Sequence, residues 1–332
     1  MTRPVRAPCA RKGYPSTRPR ATVPRKGPRV KLGFAVVISE RSQRQVSKFF
    51  EDRFKDGYLD VNGLRLHYTD WGGNSNKPLL LVHGLNVQLH TWDPVADAFR
   101  EDYHVYCVDL RGHGESDHAD DYRLKSFVSD IHEVARQLDI IPFDLVGHSL
   151  GARIGIAYAG QHADTVKRLA LSDLAPEMRE EAGRALKQFF ANAFQTRGFD
   201  TEEEALEFYR KQHPTWKPIF HELHAKYQLR RNWANKLVFR WDPEASWVGD
   251  MFWHSGPQGT EEIEYCWDMA GKIKAPTLVM WGATSNLVDD GLVKQMLEVI
   301  PNAKEEKFNT GHYIPREAPD EFNRSLRDFL AS

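Results

Sequence analysis

The sequence predicts an α/β fold, with a mostly parallel central sheet flanked by helices and an inserted helical lid. Three observations carry this expectation. Short apolar runs alternate with segments of helical periodicity from residue 58 to residue 172, and the alternation resumes from residue 273 onward. Between 173 and 272 it stops and the pattern turns helical. Strands separated by helices need crossover connections, and parallel pairing is what such connections serve.

Residues 58–61 and 64–71 flank Asn62-Gly63, a dipeptide suited to the positive φ of a two-residue hairpin turn. The run 78–82 is continuously apolar and reads as a strand buried on both faces, ending in His83-Gly84, and 104–109 repeats the theme. Leu124, Phe127, Val128, Ile131, Val134, Ala135 and Leu138 recur at three- and four-residue spacing, the mark of a helix with one buried face. A strand at 143–146, a helix at 152–161 and a strand at 166–171 follow, then strands at 277–281 and 303–308 with helices at 290–300 and 319–330. The expected organisation is a core of 43–172 and 273–332 interrupted by a lid at 173–272. Six of the nine tryptophans fall in that insert: Trp216, Trp233, Trp241, Trp247, Trp253 and Trp267. Such an insert is expected over the strand C-termini, where ligands bind, although tryptophans also serve simply to pack a small helical subdomain.

The 332 residues carry 45 Lys+Arg against 46 Asp+Glu, a net of −1 that hides an uneven distribution. Residues 1–39 hold ten basic residues and no acid, which leaves the remainder at 35 basic and 46 acidic, a net of −11. A net-acidic body repels a phosphate backbone, so no nucleic acid is expected as its partner. Six of the 18 prolines lie in the same basic stretch, and residues 1–42 are expected to be a disordered extension. A transit peptide, an arm for nucleic acid or a membrane surface, and a dispensable extension are the three readings of it. Cys9, Cys107 and Cys266 are spaced for neither a disulfide framework nor a metal site, and no apolar run reaches the roughly 18 residues of a membrane span. The run 32–38 has no small-residue cleavage site behind it, so no signal peptide is expected. The expected location is the cytoplasm, with organelle targeting by the tail left open.

The chemistry concentrates at Gly147-His148-Ser149-Leu150-Gly151, between a strand and a helix. A serine on such a sharp turn presents its hydroxyl, the flanking glycines leave room for the strained geometry, and the helix N-terminus behind favours developing negative charge. His83-Gly84-Leu85 ends an earlier strand, Asp109-Leu110-Arg111-Gly112-His113-Gly114-Glu115-Ser116 follows the next, and Gly311-His312-Tyr313 follows the last. Together these segments resemble the α/β-hydrolase fold family, in its serine-nucleophile, esterase-like branch, over residues 54–330. The resemblance implies Ser149 as nucleophile, His312 as general base, and the backbone N–H groups of Leu85 and Leu150 as an oxyanion hole, with no cofactor and no metal. A serine hydroxyl is a poor nucleophile until a base removes its proton, and the tetrahedral intermediate needs preorganised donors. Serine at this position argues against the dehalogenase and epoxide-hydrolase branches, whose nucleophile is a carboxylate.

The third member of a triad departs from the family pattern. An acid usually follows the strand at 277–281, but here the turn reads Gly282-Ala283-Thr284-Ser285-Asn286. An amide can orient an imidazole but cannot stabilise the imidazolium. Asp173, at the end of the preceding strand in Asp173-Leu174-Ala175-Pro176, is the expected acid, because a strand-end carboxylate points into the site. Asp289 is the reserve, since it and Asp290 stand where the next helix begins. His221-Glu222-Leu223-His224 lacks the second histidine of a zinc helix, as Ala225 occupies that place, so surface or lid histidines are expected. Asp109, Arg111 and His113 are expected to brace their loop, His148 to touch substrate or fill the elbow, and 255–259 to be a hinge or a turn. The function that follows is a cofactor-free carboxylic-ester hydrolase acting through an acyl-enzyme on a small to medium apolar substrate. A carbon–carbon bond hydrolase or acyltransferase, a non-catalytic receptor (favoured by Asn286) and an interaction protein using the tail are the rival readings. The oligomeric state is left open.

Overall fold

A computed structural model describes residues 49–73, 76–194 and 198–332; the basic extension at 1–42 lies outside the described residues. Asn62 and Gly63 take φ values of 50° and 83°, so the chain reverses in two residues. That turn joins β1 (Lys55–Val61) to β2 (Leu64–Asp70) and sets Val61 opposite Leu64. Next come β3 (Pro78–Val82), α1 (Asp93–Phe99), β4 (His104–Val108), α2 (Leu124–Gln137), β5 (Phe143–His148), α3 (Leu150–Gln161) and β6 (Val166–Ser172). The insert follows, with α4 (Glu180–Phe194), α5 (Glu202–Gln212), α6 (Pro218–Tyr227), β7 (Leu229–Arg231), β8 (Leu237–Phe239), a 3₁₀ stretch at Pro243–Phe252 and α7 (Pro257–Ala270). The core then closes with β9 (Thr277–Gly282), α8 (Asp290–Val299), β10 (Ala303–Phe308), α9 (Ile314–Glu317) and α10 (Pro319–Ala331).

The main sheet has eight strands in the order β1-β2-β4-β3-β5-β6-β9-β10, antiparallel at the hairpin end and parallel from β4 onward. Alternate side chains of β3 enter different layers. Leu80 and Val82 pack with Phe127, Ile131 and Ile154 from α2 and α3, whereas Leu79 and Leu81 pack with Phe99 and Phe322 from α1 and α10. Burial on both faces is what the continuous apolar run required. β10 is an edge strand, and its Lys304, Glu305, Glu306 and Lys307 are exposed, charges that discourage further strand addition. Among the described residues no helix is long and apolar enough to cross a membrane.

Two features of the insert differ from the expectation. A small antiparallel pair, β7 and β8, interrupts the helical pattern. Its connection is shaped by polar groups: the Asn232 side-chain oxygen accepts from the N–H groups of Ala234 and Lys236 at 3.0 Å each, and Asn235 takes φ 60°. The second difference is α7, which packs on α3 in the flanking layer, with Cys266 and Met269 in the same cluster as Ile154. The segment 255–259 is a turn leading into that helix: Gly256 is the N-cap residue of α7, with φ 153°.

The α3–α7 contact depends on Gly160. A Cβ there would sit 2.1 Å from the Met269 carbonyl oxygen. Alanine normally stabilises a helix by about 1 kcal/mol over glycine. Here overpacking against backbone should reverse the sign, and Gly160→Ala is expected to lose about 1–3 kcal/mol net. A urea melt reads this directly; an unchanged or higher midpoint would mean that the helices are free to move apart.

Candidate active site

Ser149 joins β5 to α3 with φ 54° and ψ −120°, a conformation that side chains rarely adopt. The two motif glycines make it possible. A Cβ on Gly147 would lie 2.2 Å from the Gly151 carbonyl oxygen, and one on Gly151 would lie 2.2 Å from the Val82 carbonyl oxygen. A side chain at 147 would push α3 away from β5, and one at 151 would push it away from β3. The turn is held by Ser149 N–H donating to the Ser172 carbonyl at 2.9 Å and by Ala152 N–H donating to the Ser149 carbonyl at 2.8 Å.

Asp173, also at positive φ (54°), follows β6, and its side chain is fully buried. Three donors converge on its carboxylate. Gly282 N–H donates to Oδ1 at 2.7 Å, the Ser285 hydroxyl to Oδ2 at 2.6 Å, and His312 Nδ1 lies 2.7 Å from Oδ2. With Nδ1–H committed to Asp173, the lone pair of His312 resides on Nε2. The loop carrying His312 is braced in turn, as Glu317 accepts from Gly311 N–H at 2.9 Å. Ser149 and His312 line the same cavity.

A family model described as the alpha/beta hydrolase fold matches residues 77–319. The chain belongs to the alpha/beta hydrolase family. Epoxide hydrolase 3 of Xenopus tropicalis is 24% identical over 292 residues, covering 82% of this chain and 77% of that protein. A fluoroacetate dehalogenase of a Burkholderia species is 29% identical over 306 residues, covering 78% of this chain and 88% of the relative. Among solved structures, E-2-(acetamidomethylene)succinate hydrolase matches with a TM-score of 0.74 at 20% identity, over 84% of this chain and 100% of that one.

The cavity also brings in the backbone segments that the sequence marks as an oxyanion hole. Leu150 is the first residue of α3, where an N–H has no intrahelical acceptor. Leu85 lines the cavity, and its peptide plane is held from behind by His83. His83 Nε2 accepts from Leu110 N–H at 3.0 Å, which leaves Nδ1–H to donate to the Gly84 carbonyl at 2.7 Å. In a trans peptide the Leu85 N–H points opposite to that carbonyl. Burial lowers the pKa of His83, consistent with the neutral ring this pattern requires. His148 is likewise buried, and burial, with the charges of His312 and Arg316, holds its pKa well below the usual value. Its Nε2 donates to the His312 carbonyl at 3.0 Å, so the residue fixes the backbone beside the imidazole.

Other sequence candidates fall outside this cluster. Asp289 caps α8, accepting from Leu292 N–H at 2.8 Å, and pairs with Arg179 at 2.8 Å. Asp290 is exposed and faces Lys307. Asn286 lines the cavity. Asp109 braces its loop, accepting from Leu89 N–H at 2.7 Å and Glu115 N–H at 3.0 Å. Arg111 forms a buried two-pronged pair with Asp130 at 2.6 and 2.7 Å, and His113 faces the Arg111 carbonyl at 2.8 Å. His221 and His224 are in the insert but buried rather than at the surface, His224 lining the cavity. No metal-binding cluster occurs among the described residues.

The cavity has a volume of ≈ 430 Å³. The insert supplies much of its apolar wall, including Leu186, Phe208, Trp216, Trp241 and Phe252. Trp233, by contrast, is 97% exposed and takes no part. Sequence reasoning missed two residues here. Ser285 stands in the turn searched for an acid and instead donates to one. Arg316, four positions after His312, is buried in the cavity wall.

The Arg179 contact, then the Leu292 N–H bond, hold the Asp289 carboxylate below its usual pKa. A lowered folded-state value stabilises the protein above the unfolded carboxylate pKa, and the effect is lost as pH falls through the folded value. The pair is half-exposed, and Asn can still cap the helix, so Asp289→Asn should cost at most about 1 kcal/mol at neutral pH. Thermal melts of both proteins from pH 7 to pH 3 should converge at the acid end; a gap that widens there would contradict the assignment.

Proposed function

We propose that this hydrolase cleaves carboxylic esters through a serine acyl-enzyme without a cofactor. The observation that carries the reading is the 2.7 Å contact between His312 Nδ1 and the buried Asp173 carboxylate, with Ser149 on its strained turn in the same cavity. Ser149 Oγ attacks the ester carbonyl as His312 Nε2 takes the hydroxyl proton. The N–H groups of Leu85 and Leu150 receive the developing oxyanion. The tetrahedral intermediate expels the alkoxide, which leaves as the alcohol with the proton from His312. Water, deprotonated by the same imidazole, then attacks the acyl-enzyme and releases the acid. Asp173 holds the tautomer and offsets the imidazolium charge.

A cavity of ≈ 430 Å³ with apolar walls suits a small to medium ligand. The insert preceding α7 acts in this reading as the lid that excludes water from the acyl-enzyme. The relatives named for epoxide and carbon–halogen chemistry share the family, and Ser149 is the feature that separates this chain from a carboxylate-nucleophile mechanism.

Wild-type protein should react with a fluorophosphonate probe and turn over p-nitrophenyl esters, and Ser149→Ala should do neither. Asp173→Asn should lower kcat by about 10⁴, whereas Asp289→Asn should retain turnover. Labelling that survives Ser149→Ala, or loss of turnover in Asp289→Asn with Asp173→Asn active, would overturn the assignment.

A further inference from the structure

Arg316 is 2% exposed and lines the cavity, an unusual place for a cation. Its position is firmly set. The Nε–H donates to the Thr91 hydroxyl at 2.9 Å, and the guanidinium carbon lies 4.6 Å from the Trp216 ring centre and 4.8 Å from that of Tyr313. Among the described residues no carboxylate forms a salt bridge with the charge and none lines the cavity; the adjacent Glu317, which binds Gly311 N–H, acts on it only at longer range. Buried Nη1 has no hydrogen-bond partner.

The neighbouring polar atoms tell the same story. Trp216 Nε1 and the Tyr209 hydroxyl, both in residues that line the cavity, are also buried and unpartnered. The guanidinium and the indole N–H only donate and the Tyr209 hydroxyl can donate, so the partner missing around Arg316 is an acceptor; Asn86 Oδ1 and Nδ2 and His224 Nε2, in residues that line the same cavity, are unpartnered as well. The histidines nearby do not compete as cations. Burial, reinforced by Arg316, pushes His213 down to about 3 and His224 well below the usual value. Burial lowers Arg316 itself only to about 10, so it remains charged at neutral pH. A buried, unpaired charge costs several kcal/mol in a protein interior. Aromatic stacking recovers part of that cost but satisfies no N–H.

We propose that the substrate carries a carboxylate, away from the bond that is cleaved, and that Arg316 binds it. One cation among apolar walls matches a monoanion, whereas a phosphate dianion would leave charge uncompensated. Tyr313 contacts both groups, its ring centre 4.8 Å from the Arg316 guanidinium carbon and 4.9 Å from the His312 ring centre, so a carboxylate on Arg316 lies near the reacting centre. This proposal rests on the reading of Ser149 and His312 as the reacting centre, and it narrows the substrate class to esters of a carboxylate-bearing acid or alcohol.

Binding and turnover can be tested separately. In the Ser149→Ala protein, hexanoate should bind at least about 10-fold more tightly than hexanamide by calorimetry, a preference abolished by adding Arg316→Gln and reduced by Arg316→Lys. Hexanoate, but not hexanamide, should also protect wild-type Ser149 from a fluorophosphonate, a measurement that needs no variant at position 316. In turnover, the kcat/KM ratio of 4-nitrophenyl hydrogen adipate to 4-nitrophenyl hexanoate should fall by about 10- to 100-fold in Arg316→Gln. Equal affinity for acid and amide, absence of protection, or a preference that survives Arg316→Gln would overturn the proposal. An Arg316-dependent preference in protein that turns over no ester would uphold it while refuting the esterase reading.

Discussion

Asp173 places its carboxylate at the end of β6 with no exposed surface, and the segments that follow β9 and β10 both bind it. The turn after β9 reaches it through Gly282 N–H and the Ser285 hydroxyl, and the loop after β10 reaches it through His312. Three strand ends are thereby tied to two oxygens. An amide in its place has one acceptor and one donor where the carboxylate has two acceptors. If the amide oxygen faced His312 and Ser285, its NH₂ would confront the Gly282 N–H. If it were flipped, the NH₂ would confront His312 Nδ1–H and force the other tautomer. Either arrangement leaves a buried donor unpaired, at about 1–3 kcal/mol, and so the carboxylate is a structural requirement of the site whatever its part in the reaction.

Much of this is legible in the sequence because local rules agree with the global fold. Residues 78–82 and 303–308 can be bounded as strands, and Asn62-Gly63 marked as a hairpin turn, because apolar continuity and turn chemistry are local properties. Ser149 is legible for the same reason: Gly147 and Gly151 advertise the close approaches that they permit. The carboxylate is less so. Asp173 and Asp289 both stand where an element ends, and only three-dimensional proximity distinguishes one that meets His312 from one that caps α8. The short strands β7 and β8 leave no trace in the pattern because three residues are too few for any periodicity. Chain order groups α7 with the insert because it carries no information about packing on α3.

Arg316 is the least legible residue. It sits in Ile-Pro-Arg-Glu, a run that reads as a solvated helix start, and its neighbour Glu317 is engaged in holding Gly311. Its burial is imposed by Trp216, a hundred positions earlier in the insert. The insert thus supplies two opposing things. It contributes the apolar wall that removes water, and it encloses a charge whose cost rises as water leaves.

That opposition bears on the reaction. In the proposed reaction, proton transfer from Ser149 makes His312 a cation, and Tyr313 contacts both that ring and the Arg316 guanidinium. In that reading Asp173 offsets the imidazolium charge with a carboxylate that it shares with Ser285 and Gly282. A substrate carboxylate held by Arg316 would fix the scissile bond relative to Ser149, so part of its binding energy would appear as a faster chemical step rather than as a lower KM. Neutral esters of the same size would fill the apolar wall equally well yet leave the guanidinium unpaired, and they would react with the charge still in place. A buried cation that is costly in the empty site can in this way become a discriminating one in the occupied site.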